Sequence, residues 1–161
     1  MNERKVALVT GGGTGIGKAC ALSFLKGGYD VVIVGRRKEK IEEAAAEFAK
    51  DFDSERILSL VGDVAKKEDV EAIFSAVEER FGRVDVVVNN AGIAPSHPFL
   101  ETSYEEYDRA VKVNQYGTFM CMQRGARMMV DKGISGVIIN MGSIYGRVAS
   151  GNIIEVREQL K

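Results

Sequence analysis

The fold follows from one stretch near the N-terminus, Val6-Ala7-Leu8-Val9-Thr10-Gly11-Gly12-Gly13-Thr14-Gly15-Ile16-Gly17. An apolar strand pattern runs into glycines spaced Gly-x-x-x-Gly-x-Gly, and a helical pattern follows with Ile16, Cys20 and Phe24 at four-residue steps. Small residues let the backbone approach an anion closely, and the free N–H groups of the first helical turn point at it. The flanking strand and helix supply the context that distinguishes a phosphate-binding turn from a flexible loop. The predicted turn comprises Gly11, Gly13, Thr14, Gly15, Ile16 and Gly17.

The length and composition indicate one ordinary globular domain. A chain of 161 residues is long enough for one domain with a core and too short for two substantial ones. We therefore expect a single domain over residues 1–161, with an atypical tail at about 150–161 in which Asn152 caps a short helix. The net charge is -1 and basic residues are mixed with acidic ones, so no basic face is available for nucleic acid.

The cysteines and the hydropathy pattern indicate a cytoplasmic protein. Cys20 and Cys121 both lie in apolar helical patterns, where cysteine behaves as a small buried hydrophobe, and they suggest neither a disulfide nor a metal site. No apolar run approaches 18 residues, and the N-terminus leads into a short strand rather than the core of a signal peptide. We expect no membrane association.

Short β-branched runs alternate with longer helical patterns along the chain, which is typical of an α/β fold with a parallel sheet and crossover helices. Three of these runs are continuously apolar, so we expect them to be covered by helices on both faces. The predicted strands are Lys5 to Thr10, Val31 to Gly35, Ile57 to Val61, Val84 to Asn89 and Gly136 to Met141.

The helical patterns predict two one-sided helices and one of a different kind. Ile41 to Phe48 and Val70 to Phe81 each carry a single apolar stripe. The segment from about Ser103 to Asp131 carries apolar residues on more than one stripe, which implies burial against the sheet on one side and a second partner on the other. That partner is either another subunit, giving a homo-oligomer, or the remainder of a larger domain.

The end of the second strand predicts which dinucleotide the chain holds. In folds of this type an acidic residue at this point accepts bonds from the ribose 2′-hydroxyl, whereas this chain has Arg36 and Arg37 there. Two guanidinium groups can fork onto a 2′-phosphate, so the cofactor is predicted to be NADP, with NAD as the alternative. The other interpretation of the two arginines is a solvated basic turn that opens the next helix.

Polar and small residues follow the third and fourth strands at the same edge of the sheet, where ligands bind in open α/β folds. Asp63 follows the third strand and can accept a hydrogen bond from an adenine amino group, or it caps the helix that begins near Lys66. Asn90, Ala91 and Gly92 end the fourth strand and leave room for a ribose and a nicotinamide.

Together, Thr10 to Gly17, Asp63, Asn89 to Gly92, Asn114 and Gly136 to Ser143 resemble the motifs of the short-chain dehydrogenase/reductase family. The resemblance covers about residues 5–150 and implies a Rossmann-type doubly wound parallel sheet of strand order 3-2-1-4-5. It also implies a small-molecule carbonyl or alcohol substrate. By that resemblance the glycine turn holds the cofactor, Asp63 and Val64 contact adenine, and residues 90–92 lie along the cofactor.

The same resemblance identifies Asn114 as the family's catalytic asparagine and Ser143 as its catalytic serine. Carbonyl reduction by hydride transfer develops negative charge on the substrate oxygen, which Ser143 would hold by a hydrogen bond. Asn114 would organise the delivery of protons, or it has a structural role as a buried asparagine bonded to a kinked helix backbone.

One motif of the family is missing from these residues. Members place a Tyr-x-x-x-Lys pair about thirteen residues after the serine, where this chain has Val156 and Leu160. Removing a positioned acid typically lowers the rate by about a hundred- to ten-thousand-fold. We therefore expect an amino-terminal portion of such an enzyme, truncated on the C-terminal side and catalytically incompetent by itself. The alternatives are a stand-alone dinucleotide-binding protein and a chain whose site is completed by a second polypeptide.

Overall fold

The computed structural model describes residues 4–95 and 97–143, and a five-stranded parallel sheet organises them. Neighbouring strands follow the order β3-β2-β1-β4-β5, with helices on both faces. This confirms the predicted Rossmann-type doubly wound α/β fold. The strands are β1 (Val6–Thr10), β2 (Asp30–Gly35), β3 (Ile57–Val61), β4 (Val86–Asn89) and β5 (Val137–Asn140).

Two apolar clusters, one on each face, hold the helices against the sheet. Helices α1 and α2 contribute Leu25 and Phe48 to one cluster, and α3 and α5 contribute Phe74 and Met128 to the other. Each fully buried side chain of this size stabilises the fold by roughly 1.5–3 kcal/mol relative to exposure. The helices are α1 (Gly15–Lys26), α2 (Lys38–Phe48), α3 (Lys67–Phe81), α4 (Tyr104–Val111) and α5 (Thr118–Asp131).

The buried face of α1 differs from the prediction. Ile16, Cys20 and Phe24 mark the apolar stripe at four-residue steps, but Ile16 is 65% exposed and the other two are half-buried. The helix instead buries the next register, Gly17, Ala21 and Leu25. Small residues at the start of this face let α1 lie close to the end of β1. The close packing gained in this way stabilises the fold more than burial of the larger apolar residues on the neighbouring stripe would.

The expectation of strands covered on both faces holds for β2 and β4 and is wrong for β5. Residues 31–34 of β2 and all of β4 are buried, whereas Val137 is 55% and Ile139 is 39% exposed. Among the described residues β5 is an edge strand that pairs only with β4. An apolar sequence does not reveal whether a strand has neighbours on both sides.

The single helix expected over Ser103 to Asp131 is divided into three parts. A π-helical turn (Lys112–Gly117) separates α4 from α5. Ser103 caps α4 in a capping box, in which its hydroxyl accepts from Glu106 N and the Glu106 carboxylate accepts from Ser103 N. As expected, the segment carries apolar residues on more than one side, some buried and some exposed. Its buried members include Val113, Met128 and Met129, and its exposed members include Tyr104, Tyr107, Tyr116, Phe119 and Val130.

The remaining expectations concern the tail, the membrane and the cysteines. The tail helix at about 150–161 and the region of Tyr145 lie outside the described residues. Within residues 4–95 and 97–143, no helix is long and apolar enough to cross a membrane, and no cluster of His, Cys, Asp and Glu could hold a metal ion. Cys121 is buried and Cys20 is half-buried, and neither forms a disulfide. Burial raises the pKa of the Cys121 thiol to about 12.

Candidate functional site

A cleft of about 480 Å³ opens at the edge where β1, β2 and β4 end. Its position follows from the fold, because parallel strands present their carboxyl ends to the same edge of the sheet. The lining residues come from the glycine turn, the ends of β2, β3 and β4, and the π-helical turn. They are Gly11, Gly13, Thr14, Gly15, Ile16, Val34, Gly35, Arg36, Arg37, Lys40, Ile41, Gly62, Asp63, Val64, Asn90, Ala91, Gly92, Ile93 and Val113.

The glycine turn has the geometry that a phosphate requires. Gly11 and Gly15 have φ angles of 67° and 54°, in the left-handed region that favours glycine. Thr14 is the N-cap of α1, but its side chain caps no N–H group, and the first turn of α1 contains no acidic residue. The N–H groups at this helix end therefore remain available, with the positive end of the helix dipole, to an anion in the cleft.

Gly17 supports the turn from behind and does not line the cleft. A Cβ atom at Gly17 would stand 2.3 Å from the Gly11 carbonyl oxygen and 2.4 Å from Nδ2 of Asn90. The Asn90 amide is itself used by the turn, since Nδ2 donates to the carbonyl oxygens of Thr10 at 3.0 Å and Gly11 at 3.4 Å. The absence of a side chain at Gly17 thus sets the distance between α1 and the turn.

Thr10 connects the glycine turn to the loop after β4, and the sequence analysis did not include it among the site residues. Its Oγ1 accepts from the N–H groups of Asn90 and Ala91, each at 3.0 Å, and donates to the carbonyl oxygen of Val88 at 3.3 Å. A threonine that ends an otherwise apolar strand is the signal that was available. These bonds fix two separate walls of the cleft relative to each other.

The rim of the cleft beyond β2 is basic. Arg36 and Arg37 are exposed there, and Nη2 of Arg37 lies 3.5 Å from Oγ1 of Thr14. Lys40, which the sequence analysis missed, joins them one turn later and pairs with Glu43 at 2.7 Å. Guanidinium groups form strong charge-assisted hydrogen bonds with phosphate oxygens, so this rim suits a phosphate group.

Asp63 is held by three bonds and does not cap α3, since Lys66 occupies the N-cap position. Its Oδ1 accepts from Ala65 N at 3.0 Å, and its Oδ2 accepts from Nη2 of Arg109 at 2.5 Å. The backbone N–H of Asp63 donates to Oδ2 of Asp69 at 2.8 Å. Partial burial raises the pKa of the Asp63 carboxyl, but the bonds from Arg109 and Ala65 outweigh burial and lower it. The cleft therefore holds a carboxylate at neutral pH.

Asn114 lies in the π-helical turn and bonds across to the loop after β4. Its Oδ1 accepts from Ile93 N at 2.9 Å, and its Nδ2 donates to Ile93 O at 2.7 Å. The alternative of a buried asparagine bonded to a kinked helix backbone is therefore wrong, because the Asn114 side chain is exposed and both its amide atoms pair with the loop residue Ile93. Gly117 brings the same turn against Val64, where an added Cβ would stand 2.8 Å from Cγ2.

Ser143 follows β5 by three residues and is exposed. It is not among the residues that line the cleft in the described part of the chain. Asn89 and Asn140 are paired across β4 and β5, and Nδ2 of Asn89 donates to Oδ1 of Asn140 at 2.8 Å. The two strands therefore leave the sheet side by side, so that Ser143 and residues 90–92 extend from the same edge.

Comparison with known proteins agrees with this geometry. A family model described as short chain dehydrogenase matches residues 5–154. A 3alpha-hydroxysteroid dehydrogenase of Mediterraneibacter gnavus is 37% identical over 150 residues, which cover 91% of this chain and 60% of the relative. A short-chain type dehydrogenase/reductase from Mycobacterium marinum aligns with a TM-score of 0.86 and 33% identity, covering 91% of this chain and 57% of that one.

A variant of actinorhodin polyketide ketoreductase, crystallised with NADPH, also aligns with a TM-score of 0.86, at 30% identity and covering 94% of this chain and 58% of that one. The chain thus spans about 60% of the length of the relatives that it matches. The matched residues include the glycine turn, the loop after β4 and both Asn114 and Ser143. The chain belongs to the short-chain dehydrogenase family.

Proposed function

We propose that this chain is the cofactor-binding part of an NADP(H)-dependent oxidoreductase that reduces a small-molecule carbonyl or oxidises an alcohol. The observation that carries the proposal is one cleft in which a glycine turn with available N–H groups lies beside Arg36 and Arg37. The first feature suits a pyrophosphate and the second suits an additional phosphate. The bound cofactor supplies the hydride chemistry, and the chain binds and orients it.

The proposed contacts follow the order of the cleft walls. The glycine turn, over Gly11 to Gly17, binds the pyrophosphate, and the two arginines bind the ribose 2′-phosphate. Asp63 and Val64 face the adenine, and residues 90–92 lie along the second ribose and the nicotinamide. NADP is favoured over NAD because no acidic residue stands at the end of β2. The solved ketoreductase with NADPH is consistent with this preference.

We propose that Ser143 holds the substrate oxygen by a hydrogen bond and that Asn114 organises proton delivery, as in the family that the motifs resemble. Between Ser143 and Lys161 no tyrosine stands four residues before a lysine. These 161 residues by themselves should therefore bind cofactor without turnover. Two other functions are favoured by the same observation: a dinucleotide-binding protein without catalysis, and a chain that requires a second polypeptide for the acid.

Cofactor titration tests the first part of the proposal. The intrinsic fluorescence of NADPH and NADH reports their binding to the wild-type chain and to the variants Arg36→Ala and Arg37→Ala. We expect NADPH to bind at least about tenfold tighter than NADH, since bonds to a charged group contribute about 1.5–3 kcal/mol. Each variant should lose most of that difference. Lys38→Ala is the matched control, because Lys38 is an exposed neighbouring cation that pairs with Glu42 and does not line the cleft.

The outcomes separate the alternatives. Equal affinity for NADPH and NADH in the wild type would contradict the assigned 2′-phosphate site, and binding of neither would contradict the whole proposal. We expect no turnover of ketones by the purified chain. Robust turnover that survives Ser143→Ala would refute both the predicted incompetence and the role of Ser143. Stable co-purification of a second polypeptide, with activity only in the complex, would favour a shared site.

We also propose that the outer face of α4 and α5 joins two copies of the chain. Tyr107 and Phe119 on this face are 61% and 58% exposed, and Val130 is 77% exposed. Large apolar side chains exposed on one segment favour an association site. Light scattering should detect a dimer or larger assembly that Phe119→Glu weakens, and a monomer at all concentrations would contradict it.

Three simpler experiments address the domain organisation, the location and the binding partners. We propose that residues 1–161 form one dinucleotide-binding domain, which predicts a single cooperative unfolding transition. A cytoplasmic location and the lack of nucleic-acid binding remain predictions from the sequence, and cell fractionation and a DNA-binding assay test them.

A further inference from the structure

Arg109 lies on α4 and donates a hydrogen bond to Asp63 in the wall of the cleft, 46 positions away in the sequence. Its side chain is 35% exposed and that of Asp63 is 14% exposed, so the pair is partly shielded from water. Arg109 also borders a neighbouring cavity of about 340 Å³ together with Glu105 and Glu106. Glu105 and Glu106 are thus close to Arg109 on the same helix. The Arg109 guanidinium nevertheless donates its hydrogen bond to Asp63, which is distant in the sequence.

The bonds to Asp63 leave part of its carboxylate available. Each carboxylate oxygen can accept two hydrogen bonds, and among the described residues one bond is made at each: from Ala65 N to Oδ1 and from Arg109 to Oδ2. The rotamer of Asp63 is therefore held at both oxygens, and each oxygen keeps a further acceptor position. A guanidinium remains protonated at all ordinary pH values, so Arg109 keeps its charge and its capacity to donate to Asp63.

We propose that Arg109 is a positioning residue for base recognition: it orients the Asp63 carboxylate to accept a hydrogen bond from the exocyclic amino group of a 6-aminopurine. The inference rests on the proposed cofactor and deepens it. A 6-oxopurine presents a carbonyl oxygen at the corresponding place, and two acceptors facing each other repel. The cleft should therefore prefer an adenine dinucleotide to its hypoxanthine analogue, and the preference should depend on Arg109.

The charges around Asp63 predict how the base preference depends on pH if Arg109 has this role. Arg109 bonds to the carboxylate, Arg36 lies near enough to act on it electrostatically, and Asp69 accepts from its N–H group. Burial raises the pKa of Asp63, and Arg109 provides the largest opposing effect. Without Arg109 the carboxylate should protonate at a higher pH than in the wild type. An arginine that merely stabilised α4 would leave the pH profile of base preference unchanged.

The test compares the binding of NADPH with that of reduced nicotinamide hypoxanthine dinucleotide phosphate from pH 8 to pH 5. The wild type should prefer NADPH by about ten- to a hundredfold, since a hydrogen bond to a charged group has that effect on affinity. The preference should change little over this range. Arg109→Met should reduce it to within about threefold at pH 8 and further as the pH falls. Arg109→Lys keeps the charge without the guanidinium fork, so its preference should be intermediate.

Arg80→Met is the matched control, because Arg80 also makes an ion pair between elements, with Glu55, but does not line either cavity. It should keep the wild-type preference. Circular dichroism checks the fold of each variant, and Arg109→Gln repeats the test if Arg109→Met does not fold. A folded Arg109 variant with the wild-type preference at every pH overturns the inference alone. A wild type that binds neither dinucleotide overturns the proposed function, and with it this role of Arg109.

Discussion

Replacing Gly17 by alanine tests whether the spacing between α1 and the glycine turn controls cofactor binding. The added Cβ would stand 2.3 Å from the Gly11 carbonyl oxygen and 2.4 Å from Nδ2 of Asn90, whereas Cβ contacts under 3.0 Å are essentially never found. The backbone of Gly11 must therefore retreat by about 0.7 Å or α1 must tilt away. Because that oxygen belongs to the backbone, no side-chain rotation relieves the contact.

Overpacking of this kind costs about 1–3 kcal/mol, against which alanine regains up to about 1 kcal/mol of helix propensity. With the full regain, the net loss of unfolding free energy should be up to about 2 kcal/mol. The substitution should weaken the affinity for NADPH more than it lowers the free energy of unfolding, because the first-turn N–H groups of α1 move relative to the phosphate position. We expect the dissociation constant for NADPH to rise at least about tenfold.

Urea denaturation and NADPH fluorescence titration measure the two effects. Ser23→Ala is the control on the same helix, since Ser23 is exposed and its hydroxyl donates to the Ala19 carbonyl oxygen within the helix. It should change both quantities by less than about 0.5 kcal/mol. If Gly17→Ala keeps wild-type stability and wild-type affinity, the close approach of α1 to the turn is not what organises this site.

Three further predictions follow from single contacts. Burial raises the pKa of Cys121 to about 12, so its thiol should resist alkylation at pH 8 until urea unfolds the chain, as mass spectrometry would report. Because the folded-state pKa of Asp63 is lowered, its contribution to stability should be complete above about pH 5 and decline as the pH falls below about 4. The stability difference between wild type and Arg109→Met should shrink over that acidic range in urea titrations. Asn114→Ala removes both bonds to Ile93 and should cost about 1–2 kcal/mol, with faster amide exchange at Ile93.

The sequence pattern predicted the order and type of the elements well because local forces decide them. The strands were predicted to within two residues at each end, since β-branched runs bounded by glycine and charged residues favour strands wherever they occur. The parallel order of the sheet followed from the family resemblance and was confirmed. The π-helical turn between α4 and α5 was not predictable, because the close approach of Gly117 to Val64 involves residues 53 positions apart.

The candidate site also has a part that the sequence predicts and a part that it does not. The glycine turn, Arg36, Arg37 and residues 90–92 lie next to strand ends, and a strand end is visible in the sequence as a change from apolar to small or charged residues. The partners of these residues are not visible there. Nothing near Asp63 in the sequence indicates that Arg109 is its partner, and nothing near Asn114 indicates that it pairs with Ile93.

What the sequence by itself determined is the class of fold, the edge of the sheet that carries the site and the family to which the chain belongs. These depend on hydrophobic periodicity and on short motifs, both of which are local. Only the tertiary structure decided which face of α1 is buried and that Thr10, Arg109 and Asn114 hold the cleft walls. These features depend on close packing and on hydrogen bonds between distant segments, which form only when the whole sheet and its helices are in place.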